Sequence, residues 1–450
     1  MMDLNRKYEQ IVRDRFKENI KSGAEAVEFI KNSTAIYKGE PVPCLYMPKI
    51  FSEDAHRFLE KSAETIYGVL EKVIKRYLNE PKYRTLFPFP KQLEELILSE
   101  AGYPCLLPIA RIDIFLNEED LSFKFCEFNA DGSSAMNEDR ELNRALANAD
   151  AMKVMKEEYD FAVFEFFDSW VKVFMDIYGT YVNRVEKPSI LITDFIKGDV
   201  STEFVEFENA FTRAGIDACI ADVRSLRYEN GILMTRERKR IHAIYRRAVT
   251  RDVMDNFESV EPFVKAITEG AVCSIGHFRT QIIHNKTIFK ILHQKETLEF
   301  LTEEEREYVK RHVPETYVLE EGCFDLGEVL QNKDKWLIKP EDLYASRGVW
   351  AGVDTKQSEW EDAVRQSTGT GYLLQEYVTP YKSPNLDFNK SATPDFEFFK
   401  NITGMFVYGG KLAGFYSRGG PRGVISGLTG GLTMASVVAS EKKPHTVVTS

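Results

Sequence analysis

The sequence predicts a mixed α+β fold, on three observations. The first hundred residues carry apolar positions at helical spacing; two short runs around 111 and 127 alternate in polarity on either side of an acidic loop; and from Ser189 the chain passes from strand to helix to strand. At 450 residues the chain exceeds what one hydrophobic core usually organises, so two or three domains or one multi-lobed fold are expected.

Taken in order, the apolar face that begins at Ala55, Phe58 and Leu59 and continues to Leu78 predicts a long helix, and Phe87-Pro88-Phe89-Pro90 closes that region. Arg111-Ile112-Asp113 and Cys126-Glu127-Phe128-Asn129 predict two strands, joined through the polar turn residues of 117–122. The stretch 137–169 reads as helical and ends in aromatics that suit core packing. Ser189 to Asp194 is a short apolar strand, 204–213 a helix, and Gly215 to Asp222 a second strand, which together predict a right-handed βαβ unit. Ile241 to Arg247 adds a strand ending in two arginines, which either face a substrate cleft or form a salt-bridged strand end. A small Rossmann-like module over 188–275 follows, but without G-x-G-x-x-G there is no ground for a dinucleotide. Beyond it, Asn285-Lys286 opens a helix, and Thr302-x-x-Glu305 is a capping box on a charged helix. Trp336 to Pro340 and 371–378 are strands, with a glycine-containing loop from Tyr344 to Gly352 between them. The region 401–438 reads as strands and glycine turns, and the last residues lack any apolar pattern.

With 43% hydrophobic and 29% charged residues, the composition is that of an ordinary globular chain rather than a disordered or membrane protein. No apolar run approaches bilayer length and the amino terminus does not read as a signal peptide, which points to a cytoplasmic protein. The net charge of −11 argues against nucleic-acid or membrane partners. Six cysteines without C-x-x-C spacing suggest neither a zinc site nor a disulfide framework.

Strand periodicity places Arg111 and Asp113 on one face, and Glu127 and Asn129 on one face of the next strand. Magnesium takes hard oxygen ligands and bridges substrate phosphates, which suits Asp113, Glu127 and the amide oxygen of Asn129, with Arg111 as a cationic fork for a phosphoryl group. Either pair alone is also what a solvated hairpin face looks like. Together, followed by the Gly132-Ser133-Ser134 turn, they read as a site. Further along, Lys286, Lys339 before Pro340, Ser346-Arg347-Gly348 and Gln375-Glu376-Tyr377 offer two lysines, a glycine loop and a hinge strand.

In this order the motifs resemble the circularly permuted ATP-grasp ligases of the glutathionylspermidine synthase type, across roughly 100–435. The residue patterns give a helical region over 1–100 and a mobile tail over 441–450; between them the resemblance implies a metal-binding hairpin with helices over 101–187, an inserted Rossmann-like pre-ATP-grasp module over 188–275 and nucleotide-binding lobes over 276–440. It further implies that Lys286 and Lys339 contact the α- and β-phosphates of ATP, that Ser346 and Gly348 belong to a loop closing over the triphosphate, and that the Gln375, Glu376 and Tyr377 backbone bonds adenine. Asp113, Glu127 and Asn129 would hold Mg2+, Arg111 would be catalytic, and Ser133, Ser134 and Arg418 would touch the acyl substrate. The implied activity is ATP-dependent joining of a small-molecule carboxylate, peptide-like or polyamine-like in character, to an amine through an acyl phosphate. The sequence from Gly132 to Ala135 departs from the family pattern, which puts glutathione itself in question. The competing readings are a phosphotransferase on the same fold and a non-catalytic nucleotide-binding scaffold. Oligomeric state is not legible.

Overall fold

The computed structural model of the protein describes residues 1–343 and 346–443. Its largest sheet is antiparallel throughout, in the order Leu432–Met434, Lys411–Gly420, Glu397–Tyr408, Ile109–Leu116, Phe123–Asn129, with Lys382–Asn385 also pairing with Glu397–Tyr408. The helix Glu53–Asn79 joins this sheet in one core: Leu59, Ala63, Ile66, Leu70, Val73 and Tyr77 recur every three or four residues and are buried with Ile112, Ile114, Phe125, Met405 and Phe415. Ser52 caps that helix by accepting from the Ala55 amide, a local reason for the helix to start there.

The strand, helix, strand succession expected from Ser189 forms as Ser189–Asp194, Thr202–Arg213 and Asp217–Asp222, and the parallel sheet runs Cys273–Ile275, Ala243–Arg246, Ser189–Asp194, Asp217–Asp222. A second antiparallel sheet holds Thr316–Val318, Tyr372–Glu376, Trp336–Pro340 and Trp350–Ala351 in that order over its own small core around Trp360. The charged helix Glu303–His312 begins with the Thr302/Glu305 capping box read from the sequence.

Two expectations change. The stretch 137–169 is not one helical region: after Met136–Leu146 and Asp150–Met155 the chain becomes the strand Tyr159–Ala162, then the helix Phe167–Gly179. That strand borders Ser436–Glu441, whose other side pairs in parallel with Lys49–Ser52. Pairing with a strand nearly 280 residues away is invisible to local periodicity, and it decided the conformation. The same sheet ties Lys49–Ser52 of the amino-terminal region to the carboxy-terminal strand Ser436–Glu441. Of the tail expected over 441–450, Glu441 ends a strand and the residues from 444 on lie outside the described residues, as do Tyr344 and Ala345 of the glycine loop. Among the described residues no helix is long and apolar enough to cross a membrane.

Candidate active site

The hairpin aligns its polar residues in facing pairs, Arg111 opposite Asn129 and Asp113 opposite Glu127. Directly paired residues share a face, so all four converge, as the alternation predicted. The register then slips between Asp113 and Ile114, leaving Cys126 as the extra residue of a bulge. Across the sheet the same row continues through Gly404, opposite Asp113, to Tyr416, opposite Gly404. Gly404 has to lack a side chain: a Cβ there would stand 2.7 Å from Asp113 Oδ1 and 2.8 Å from Arg111 Cδ. The space it leaves lets Arg111 lie over the sheet, with its guanidinium 5.5 Å from the Tyr416 ring centre while that of Arg418 approaches the same ring at 5.4 Å.

Asp113 is buried and held from three sides. Arg111 grips it with Nε at 2.8 Å and Nη2 at 3.1 Å, and Arg418 Nη2 and Asn129 Nδ2 each donate to Oδ2 at 3.2 Å. Burial opposes the charge of Arg111, but the Asp113 carboxylate overrides it and holds the guanidinium above its ordinary range. Glu127 is paired with Lys286 at 2.8 Å; burial alone would raise its carboxyl, yet the lysine brings it down to about 2. Lys286 also donates to the Leu343 carbonyl at 2.6 Å, which ties it to the start of the glycine loop. Lys339 is buried between the Phe289 ring, 4.6 Å away, and the bulged Cys126 carbonyl at 3.5 Å. It has no carboxylate in an ion pair among the described residues, and burial reinforced by Lys286 pushes it down to about 8. The Cys126 thiol is pushed up to about 12 by burial, so it stays protonated and offers no nucleophile.

These groups line one cavity of about 140 Å³ between the hairpin and the second antiparallel sheet, together with Ser346, Gln375, Glu376 and Tyr377. Of the sequence-level candidates, Gly348, Ser133 and Ser134 do not line it. Gly348 takes φ +70° beside it, where a Cβ would meet the Tyr372 hydroxyl at 2.7 Å. Ser133 turns inward to donate to the Asn129 carbonyl, and Ser134 offers its own carbonyl to Arg111 Nη1 at 2.8 Å while facing a neighbouring cavity. The hinge also differs in detail from expectation. The Glu376 and Tyr377 amides already donate to the Glu315 and Lys335 carbonyls, at 2.9 and 2.7 Å, and the Gln375 amide group is spent on Thr316 at 2.8 Å. Val378, one residue further, lines the cavity.

Sequence reasoning missed Gly404, Tyr416 and the loop Gly423, Val424, Ile425, Ser426, which closes the cavity with the Gly423 amide bound to Asp354 at 2.6 Å. The glycines at 419, 420, 423, 427, 430 and 431 were the available signal for that loop. Both strand-end arginines form buried ion pairs, Arg246 with Asp131 at 2.6 Å and Arg247 with Glu203 at 2.9 Å, and the second pair also faces the neighbouring cavity.

Four cations, Arg111, Arg418, Lys286 and Lys339, therefore meet three carboxylates, Asp113, Glu127 and, at the hinge, Glu376, which is paired with Lys124 outside the cavity at 3.3 Å; the surplus suits an anion. The donor set also fits magnesium in one specific way. Among the described residues no three His, Cys, Asp or Glu side chains converge into a cage, but two facing carboxylates with a carboxamide beside them match an ion that takes few protein ligands and completes its shell with phosphate oxygens and water.

No protein-family model matches the sequence, and a search of curated proteins gave no match. Among solved structures, the apo form of a glutathione synthetase-like effector from Globodera pallida aligns with 93% of this chain and 96% of its own at a TM-score of 0.58 and 10% identity. A protein of Methylobacillus flagellatus, provisionally assigned as a gamma-glutamylcysteine synthetase, aligns at 10% identity over 86% of this chain and 89% of its own, but its TM-score of 0.33 carries no argument. At such identity the first likeness speaks to architecture alone: the chain shares the overall fold of that glutathione synthetase-like effector.

Proposed function

We propose that this chain is a magnesium- and ATP-dependent carboxylate–amine ligase of the circularly permuted ATP-grasp kind, forming an amide bond on a peptide-like or polyamine-like substrate. The observation that carries the reading is the gathering of three buried cations, Arg111, Lys286 and Lys339, and the half-buried Arg418 around the Asp113–Glu127 pair in a cavity bordered by a hinge strand. Permutation is supported by chain order, since the acidic hairpin precedes the strands bearing Lys339 and the hinge.

In this reading Asp113, Glu127 and Asn129 would hold the metal, and Lys286, now paired with Glu127, would pair with a phosphate oxygen instead. Lys339, lacking a carboxylate partner, gains its counter-charge from the nucleotide. Bound Mg-ATP supplies the phosphoryl group that activates the substrate carboxylate as an acyl phosphate. Arg111 and Arg418, both anchored on Asp113 and backed by Tyr416, neutralise charge developing on the transferred group and then on the carbonyl oxygen attacked by the amine. The protonated Cys126 takes no part. At about 140 Å³ the cavity is smaller than a nucleoside triphosphate, so binding requires the loops at 346–349 and 423–426 to part.

Titration calorimetry with ATP, with and without magnesium, tests this on the wild type and on Asp113→Ala. The wild type is expected to bind ATP more tightly with magnesium. The variant should keep the magnesium-free affinity, because its arginines lose a competing carboxylate, but lose the increment. Absence of ATP binding by the wild type, or an intact increment in the variant, would overturn the assignment.

A further inference from the structure

A second cavity, of about 970 Å³, lies beside the one described: Ser134 and Glu138 on its wall bond Arg111 and Tyr416, through the Ser134 carbonyl and the Glu138 carboxylate. It opens at the carboxyl ends of Ser189–Asp194 and Ala243–Arg246. The chain leaves the first of these for a strand on one side and the second for a strand on the other, so the crevice lies at a topological switch point of the parallel sheet. Open α/β sheets bind ligands in such crevices.

Two features of its wall would ordinarily attract a carboxylate: Arg247, and the amino terminus of the helix Met136–Leu146. Both are already taken by Glu203. Its Oε2 accepts from the amides of Ala135, Met136 and Asn137 at 3.0, 2.9 and 3.3 Å, and its Oε1 accepts from Arg247 Nη2 at 2.9 Å. The side chain thus sits where a ligand carboxylate would sit. It fills the seat incompletely, for Arg247 Nε, buried beside it, has no hydrogen-bond partner among the described residues. With that pair cancelled, the remaining charges of the cavity are Glu138, Asp194, Asp199 and Asp252 against Lys38 and Lys197. Asp194 forms no ion pair among the described residues, and burial pushes its carboxyl up to about 6.

We propose that Glu203 is a built-in surrogate carboxylate that sets specificity in this cavity: it excludes ligands bearing a free carboxylate at this end and leaves the crevice for an ammonium-bearing group held against Asp194. The cavity's place as a substrate pocket rests on the ligase reading, but the test needs no nucleotide, so failure of either is distinguishable from failure of the other.

The full chain is titrated at pH 7.5 without ATP, using 1,4-diaminobutane and glutarate as probes of equal reach and opposite charge. The wild type is expected to bind the diamine and not the diacid, and Asp194→Asn to weaken the diamine by about tenfold or more, the usual effect of removing one partner of a buried charge pair. Glu203→Ala should acquire an acetate-dependent rise in melting temperature that the wild type lacks, as acetate refills the vacated seat. Because that variant exposes Arg247 to an empty cavity and can fail to fold, Glu203→Gln, which keeps the shape and loses the charge, is measured beside it and should narrow the preference for the diamine. Wild-type binding of glutarate as tight as that of the diamine, an unchanged diamine affinity in Asp194→Asn, or an unchanged preference in Glu203→Gln would overturn the proposal.

Discussion

Replacing Lys339 with Met should stabilise the protein without nucleotide while weakening nucleotide binding. Lys339 is 4% exposed, and its polar neighbour is a carbonyl at 3.5 Å rather than a carboxylate. Burial lowers its pKa from 10.5 to about 8. A folded-state pKa below the unfolded one means that the folded chain binds this proton less well, so the charged lysine costs stability wherever both states are protonated. At about 1.4 kcal/mol per pK unit the cost near pH 7 is about 3 kcal/mol, and it fades as pH rises from 8 towards 10.5, where both states become neutral. Met conserves the volume and forfeits the attraction to the Phe289 ring, on the order of 1 kcal/mol, leaving a net gain of about 2 kcal/mol at pH 7. Urea unfolding at pH 7 and pH 11 measures this directly, with the gain expected at the lower pH and largely gone at the higher. Mg-ATP should reverse the order, since a charged hydrogen bond to phosphate is worth about 1.5–3 kcal/mol, roughly tenfold or more in affinity. A Lys339→Met protein less stable than wild type at pH 7, or equally stabilised at both pH values, would refute the reasoning.

Gly404→Ala places a methyl group within 2.8 Å of both members of the Arg111–Asp113 pair. The expected cost is about 1–3 kcal/mol of overpacking, together with loss of the magnesium increment in ATP affinity; calorimetric titration that finds the increment intact would show that the fork tolerates displacement. Asp131→Asn strands Arg246, whose own exposure is about nil and whose partner lies at 2.6 Å, so thermal or urea unfolding should show a loss of about 3–5 kcal/mol. A loss below 1 kcal/mol would mean that the carbonyls of Ala248 and Gly276, which Arg246 also meets, suffice for its charge.

How much of this was legible in the sequence follows from the range of the forces involved. The four hairpin residues converge because strand alternation is a local rule, and Arg111, Asp113, Glu127 and Asn129 obey it. The capping box at Thr302 and the βαβ succession from Ser189 are local in the same sense. Lys286 and Lys339 were readable as motif residues, but their unequal states were not: one has Glu127 and the other only a ring and a carbonyl, which depends on a bulge at Cys126. Tyr159–Ala162 was misread because its conformation is set by pairing with Ser436–Glu441. Arg246 and Arg247 could not be assigned between cleft and salt bridge, because their partners Asp131 and Glu203 lie 115 residues before one and 44 before the other.

The walls of the two cavities are connected through one row of the central sheet, which bears on how the proposed ligase could time its chemistry. Arg111 reaches from Asp113, inside the phosphate-sized cavity, to the Ser134 carbonyl on the wall of the larger one. Beneath it, Tyr416 carries both arginines on its ring and donates its hydroxyl to Glu138, which faces the larger cavity and is held with a raised pKa by burial. In the proposed ligase Asp113, on holding a metal, would grip Arg111 and Arg418 less tightly, and both guanidiniums could then turn to an anion at the junction. An ammonium in the larger cavity would favour ionised Glu138, strengthening its bond to Tyr416 and with it the platform under those arginines. Under the proposed ligase reading, charge would be offered to the reacting carboxyl only when both sides are filled, which would limit wasteful hydrolysis of ATP and would follow from four side chains sharing one face around a glycine.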